Sequence, residues 1–166
     1  MWIVKIGGSW INNPNLSNLI KNLQRLSNKD NIIIVNGGGS FSDSVRLVYE
    51  NKRMSEKTGN YIALKATELF SHLLKEIDKN ICLVNDIESL RFSNKMLKIW
   101  LPSMILKNDS TFIKNWESTS DSVAAWLHSK INSLGLLYVK SLNFEKKKYK
   151  LKYCLLYTSP SPRDEQ

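Results

Sequence analysis

Two short β-branched runs in this chain each stop at a cluster of glycines. The first reads Ile3-Val4-Lys5-Ile6 and then Gly7-Gly8-Ser9; the second reads Ile32-Ile33-Ile34-Val35-Asn36 and then Gly37-Gly38-Gly39-Ser40. A brief apolar run bounded by glycine reads as a buried strand. Each cluster is followed by apolar residues at helical spacing: Leu16, Leu19, Ile20, Leu23 and Leu26 after the first, and Val45, Leu47 and Val48 after the second. Glycine lets a backbone turn sharply and lets a ligand approach it closely. A helix starting there aims its unpaired N–H groups and the positive end of its dipole at the same point. That geometry suits phosphate, and two such loops suit two phosphorylated groups held near each other. Lys5, just ahead of the first glycines, supplies a mobile positive charge between them. For either cluster alone the alternative is a tight strand-to-helix turn with no ligand. Neither completes the spacing G-x-x-x-x-G-K-[S/T] or G-x-G-x-x-G.

The same alternation continues along the chain. Strands are predicted over 2–6, 31–36, 81–85, 97–101 and 136–141, with helical patterns over 16–26, 45–48, 61–77 and 123–134. In the long pattern, Ile62, Leu64, Leu69, Leu73, Leu74 and Ile77 are expected to face mostly inward. Strands alternating with helices predict an α/β fold, a mostly parallel sheet covered by helices on both faces. Ligands of such sheets gather at the carboxyl ends of the strands, where both glycine loops fall.

A third element is Trp116-Glu117-Ser118-Thr119-Ser120-Asp121-Ser122, followed by Val123, Trp126, Leu127 and Ile131 at helical spacing. Thr119 or Ser120 suits an N-cap, and Asp121 falls in the first turn, where a carboxylate is favourable. Capping alone is one reading of Asp121; a site role is the other. Trp100, Trp116 and Trp126 are expected to be packing residues, with Trp116 the one that borders the Asp121 motif.

Taken in order, Lys5-Ile6-Gly7-Gly8-Ser9, Asn36-Gly37-Gly38-Gly39-Ser40-Phe41 and Thr119-Ser120-Asp121-Ser122 resemble the amino acid kinase family, whose members include acetylglutamate, aspartate and uridylate kinases. The (aminomethyl)furanylmethyl phosphate kinases of methanofuran biosynthesis are the branch it most resembles. The added cues are Phe41-Ser42-Asp43-Ser44-Val45-Arg46, Leu101-Pro102-Ser103 and the tryptophan ahead of Asp121. The resemblance implies the carbamate kinase-like fold and transfer of the ATP γ-phosphoryl group, with Mg2+, to a small acceptor bearing phosphate or carboxylate. It implies that Lys5 contacts the transferring group and that Asp121 orients catalytic lysines. Gly7, Gly8, Ser9 and Ser120 would hold the nucleotide phosphates, and Gly37, Gly38, Gly39 and Arg46 the acceptor. Arg46 reads equally well as a surface charge. Many family members carry an acidic Asp-Val-Asp-Gly segment where this chain has Val139-Lys140-Ser141-Leu142-Asn143. That departure, and a second family lysine not located in the sequence, leave open a non-catalytic module that binds an anion or metabolite. Lys140 is a candidate to take over phosphate contacts.

The formal charge is +9. The lysines are dispersed, and the densest run, Lys146 to Lys152, reads as a solvated loop rather than a nucleic-acid patch. The expected partner is therefore a small-molecule substrate, not nucleic acid or a membrane, with a homo-oligomer for the full-length protein. Cys82 and Cys154 give neither a disulfide framework nor a metal-ligand spacing. Cys82 reads as core, and the isolated His72 and His128 as structural or surface residues. No signal peptide or transmembrane run is seen, so a cytoplasmic protein is expected. From Cys154 onward the residues resemble a translated sequencing adapter. The expected organisation is thus a kinase domain over 1–153, lacking part of its nucleotide-binding half, and an adapter-like tail over 154–166 that packs against nothing.

Overall fold

The computed structural model describes residues 1–92 and 94–141. Five parallel strands, β1 (Trp2–Ile6), β2 (Ile32–Asn36), β3 (Cys82–Val84), β4 (Lys98–Trp100) and β5 (Gly135–Val139), form one sheet in the order β3-β4-β2-β1-β5. The helices are α1 (Leu16–Ser27), α2 (Ser40–Lys52), α3 (Glu56–Ile77), α4 (Ile87–Arg91), α5 (Ser103–Asn108) and α6 (Ser120–Ile131), with a 3-10 turn over Gly8–Asn12. The predicted α/β sandwich is the observed fold. The expected adapter-like tail and the lysine run from Lys146 lie outside the described residues.

Alternation along each strand sends successive side chains to opposite faces. Ile3, Ile33, Val35 and Trp100 meet Leu90, Leu106, Val123, Ala124, Leu127 and Ile131 on one face. Val4, Ile6, Ile34 and Ile99 meet Ile20, Leu23, Phe70 and Leu74 on the other. Both faces are covered, so β1 and β2 are apolar almost throughout. The outer strands are not so enclosed. Cys82, expected in the core, is only half-buried because β3 is an edge strand among the described residues.

The helical patterns differ from expectation in length and facing. The helix after the triple glycine runs thirteen residues and buries none of them. Leu47 and Val48, expected on its inner face, are exposed. On α3, Leu64 and Leu74 are buried, but Leu69, Leu73 and Ile77 are exposed, against the inward facing predicted for them. The buried positions of α3 instead include Asn60, Thr67, Glu68 and Ser71. This helix packs along a row of loops as well as on the sheet, and loops present backbone groups that polar side chains must satisfy. Asn36 Nδ2 donates to Ser71 Oγ at 3.0 Å, Glu68 Oε1 accepts from the Ser103 amide at 2.9 Å, and Asn60 Nδ2 donates to the Asn115 carbonyl at 3.1 Å. His72 is exposed, and His128 Nδ1 lies 2.6 Å from Ser133 Oγ. Trp100 and Trp126 stack with centroids 5.7 Å apart, the packing role expected of them.

Lys98 is the one fully buried lysine among the described residues, in the middle of β4. Its ammonium donates to the carbonyls of Ser89 at 2.9 Å, Leu90 at 3.2 Å and Phe92, and so satisfies the C-terminal end of α4. Burial pushes this amine below its ordinary value of 10.5. The unfolded chain then holds the proton at pH values where the folded chain has begun to release it, so this group makes stability rise with pH just below 10.5. Lys98→Ala is expected to lose about 3 kcal/mol of stability through a cavity and unpaired carbonyls. Urea unfolding at neutral pH measures the loss, and repeating it at alkaline pH shows whether the variant lacks the rise.

Candidate functional site

The register of the sheet sets the site. Ile6 pairs with Asn36 on one side and Val139 on the other, so β1, β2 and β5 end level. The ladder goes one step further, with the Gly37 amide donating to the Ile6 carbonyl at 2.8 Å and the Gly7 amide to the Val139 carbonyl at 2.9 Å. Gly7, Gly37 and Lys140 therefore follow three neighbouring strand ends.

The two glycine loops touch through their backbones. A Cβ on Gly8 would fall 2.2 Å from the Gly39 nitrogen, and one on Gly39 would fall 2.4 Å from the Gly8 oxygen. Gly39 also sits at φ +53°, which L side chains disfavour, and it is the residue from which α2 starts. The contact is closed to any residue larger than glycine. Gly8→Ala is expected to cost about 1–3 kcal/mol by forcing the loops apart. Thermal or urea unfolding checks it, and a stability equal to the parent would refute the contact.

Lys5 is buried in β1 and points to the face covered by α6. Its ammonium lies 2.6 Å from Asp121 Oδ1. The other oxygen of that carboxylate, Oδ2, lies 3.8 Å from the ammonium of Lys140, just past the end of β5. Asp121 is thus shared by two lysines that approach from adjacent strands. Thr119 is at the N-cap position of α6, in extended conformation, but makes no side-chain cap bond, and Ser120 is the first helical residue. Asp121 stands in the first turn, where the helix dipole favours its charge, while its oxygens engage lysines.

The remaining expected residues distribute around this centre. Ser9 is exposed and its Oγ lies 2.5 Å from Ser141 Oγ, which ties the first glycine loop to the end of β5. Gly38 is buried against Ser42, with no room for a Cβ. Arg46 is held on its own helix by Asp43, with Nη1 3.0 Å from Oδ1. Its described ion pair is therefore a surface one, within α2. Trp116 stacks on Tyr49 with centroids 4.0 Å apart and planes 5° from parallel, and Gly59 leaves room for the pair.

Sequence reasoning did not identify Glu68, Asn60 or Tyr49 as part of the scaffold. Glu68 is the most consequential of these. One oxygen accepts from the Ser103 amide, and the other pairs with Lys65 at 2.9 Å, holding the Lys65 ammonium above its ordinary value. The only available signal was a carboxylate beside Leu69 and Phe70 in a helix expected to pack inward, since burial of such a group requires a partner.

Comparison with known proteins agrees with this arrangement. Residues 1–116 match the amino acid kinase family. The chain belongs to that family. It is 31% identical over 134 residues to [5-(aminomethyl)furan-3-yl]methyl phosphate kinase of Methanocaldococcus jannaschii, an alignment covering 76% of this chain and 59% of the relative. Among solved structures it is similar to uridylate kinase from Archaeoglobus fulgidus, with a TM-score of 0.66 and 19% identity over 85% of this chain and 63% of the other. It is also similar to UMP kinase from Ureaplasma parvum, with a TM-score of 0.56 and 16% identity over 84% of this chain and 65% of the other. These two likenesses establish the fold. The chain spans less than two thirds of the length of each of these proteins. The family match ends ahead of Asp121 and Lys140, so the geometry of those two residues is an independent observation.

Proposed function

We propose that this chain carries the phosphoryl-transfer centre of a small-molecule kinase that moves the γ-phosphoryl group of ATP to an acceptor bearing phosphate or carboxylate. The observation that carries this reading is Asp121 held between Lys5 and Lys140 beside two glycine loops in backbone contact. Phosphoryl transfer asks a protein chiefly for positioning and for positive charge around the transferring group. Lysine is a point charge on a flexible stem, so a fixed carboxylate is what aims it. Asp121 does this for two lysines at once, as a positioning residue rather than as a base.

In this reading Lys5 and Lys140 face the oxygens of the transferring group and stabilise the charge that builds up there. Gly7, Gly8, Ser9 and Ser120 line the nucleotide phosphates. Gly37, Gly38 and Gly39, with the start of α2, receive the anionic group of the acceptor. Arg46 joins them only by exchanging Asp43 for the acceptor. The glycine loops, pressed together through their backbones, bring backbone N–H groups to one place where phosphate oxygens can approach them. Mg2+ would neutralise phosphate charge. Such an ion is ordinarily held by one or two carboxylates together with the substrate phosphates.

The finer reading is a furan-methyl phosphate acceptor in methanofuran-linked one-carbon metabolism, supported by the archaeal relative at 31% identity. Uridylate or an amino acid is the alternative acceptor. A non-catalytic binding module is the reading from another class, motivated by the lysine where acidic residues are usual. The position of Lys140 against Asp121 favours the enzyme, because the two lysines then converge on one point. We further infer a cytoplasmic protein that assembles as a homo-oligomer. Exposed Leu69, Leu73 and Ile77, one stripe of α3, offer a surface for self-association. Among the described residues no helix is long and apolar enough to cross a membrane.

ATP turnover against a panel of furan-methyl phosphate, UMP and amino-acid acceptors tests the reading. Lys5→Ala is expected to lower kcat about 10²–10³-fold; undiminished turnover in that variant would remove Lys5 from the reaction. Asp121→Asn is expected to lower kcat with a smaller change in KM for ATP, because it unaims the lysines without removing their charge. Steady-state kinetics of the two variants side by side distinguishes charge from positioning.

A further inference from the structure

Away from the glycine loops, a pocket of about 360 Å³ opens between the start of α3 and the stretch running from α5 towards α6. Lys57, Asn60, Tyr61 and Leu64 line it from α3, and Lys107 and Lys114 line it from the opposite wall. The volume is within the range of small-molecule sites. Leu64 belongs to the core and gives the pocket an apolar floor. The Lys107 ammonium stands 4.7 Å from the centre of the Tyr61 ring, and the Lys114 ammonium donates to the Asp109 carbonyl. Lys57, Lys107 and Lys114 form no ion pair among the described residues, a condition they share with several other lysines of the chain; what sets them apart is that all three line one cavity. Three like charges around one cavity repel each other, and an anion placed among them relieves that repulsion.

The α3 wall is fixed in advance. Asn60 is buried and bonded to the Asn115 carbonyl, and the Tyr49–Trp116 stack closes over Gly59 beside it. A preformed cavity loses little freedom on binding. Its lining residues are also none of those of the Lys5–Asp121 centre. Ser71 of α3 touches Asn36, the residue before the triple glycine. Tyr61 lies ten residues earlier on the same helix, about 15 Å along its axis.

We propose that this pocket is a second ligand site, built for a small organic anion: a phosphate, sulfonate or carboxylate joined to an apolar, ring-sized body. The anionic group takes its place among Lys57, Lys107 and Lys114, and the body lies on Tyr61 and Leu64. The site does not depend on the phosphoryl-transfer reading, because its residues are not those of the Lys5–Asp121 centre.

The test is NMR titration of the intact chain with phenyl phosphate as the probe, following backbone amides. Saturable shifts are expected at Lys57, Tyr61, Lys107 and Lys114, with a midpoint separate from that of any shifts at Gly37–Gly39. Inorganic phosphate, which lacks the body, and benzyl alcohol, which lacks the charge, are each expected to bind the pocket at least about tenfold more weakly, a difference of about 1.4 kcal/mol. Lys57→Gln combined with Lys107→Gln changes two exposed side chains. It is expected to weaken the pocket response about tenfold while leaving the glycine-loop response in place. The proposal is overturned by an absence of saturable shifts at the pocket, by equal affinity for inorganic phosphate, or by an unchanged pocket response in the double variant. A single midpoint shared with the glycine loops would also overturn it. Because the readout is binding rather than turnover, loss of the kinase reading would leave this result standing.

Discussion

The ion pair between Lys5 and Asp121 is the interaction around which the described part of the protein is arranged. Lys5 occurs in a strand whose other residues are all apolar, and its side chain is 7% exposed. An ammonium in that position is costly unless a carboxylate meets it. Asp121 meets it at 2.6 Å, and it can do so only because α6 lies across the same face of the sheet. That placement comes from apolar packing: Val123, Ala124, Leu127 and Ile131 of α6 join Ile3, Ile33 and Val35 in one core. The charge chemistry is therefore positioned by the hydrophobic core beneath it. β5, which follows α6, then brings Lys140 to the other side of the same carboxylate.

The glycine loops depend on the same alignment. Three strands that end level would send their connecting chains into one another if those chains carried side chains. The backbone contact between Gly8 and Gly39 shows how little space remains. Level strand ends, absent Cβ atoms and a helix that starts at Gly39 are three aspects of one arrangement, which crowds backbone N–H groups beside a pair of lysines. That arrangement is favourable for holding phosphate.

Helix α3 connects this centre to the rest of the molecule. Three of its buried polar side chains each reach a different segment: Ser71 meets Asn36 before the triple glycine, Glu68 meets the start of α5, and Asn60 meets the segment leading to α6. Its exposed side carries Leu69, Leu73 and Ile77. The inner side of α3 thus mixes polar residues with Leu64, Phe70 and Leu74. Periodicity alone misplaced the three exposed residues because a hydrophobic pattern records which residues share a face, and only neighbouring chains decide what that face meets.

Much of the architecture was legible from local pattern. β-branched runs that end in glycine, separated by helical spacing, specified a parallel sheet with helices on both sides, and strand limits shifted by only one or two residues. Lys5, the glycines and Asp121 were legible as a set because their residue types and order are chemically unusual together. The pairing of Lys140 with Asp121 was not, since 19 residues and a full helix separate them in the sequence and only the β1–β5 register makes them neighbours. Arg46 was ambiguous for a different reason, since an arginine early in a helix suits a ligand or a local carboxylate equally, and the structure pairs it with Asp43 on its own helix. The short helices at Ile87–Arg91 and Ser103–Asn108 were also missed, being too brief to show a period. What the sequence determined by itself is the alternation of strand and helix and the chemical character of the loops, because backbone preference and side-chain period act over a few residues. What only the tertiary structure decided is which charges meet, because an ion pair is set by strand order and helix packing between residues far apart in the chain.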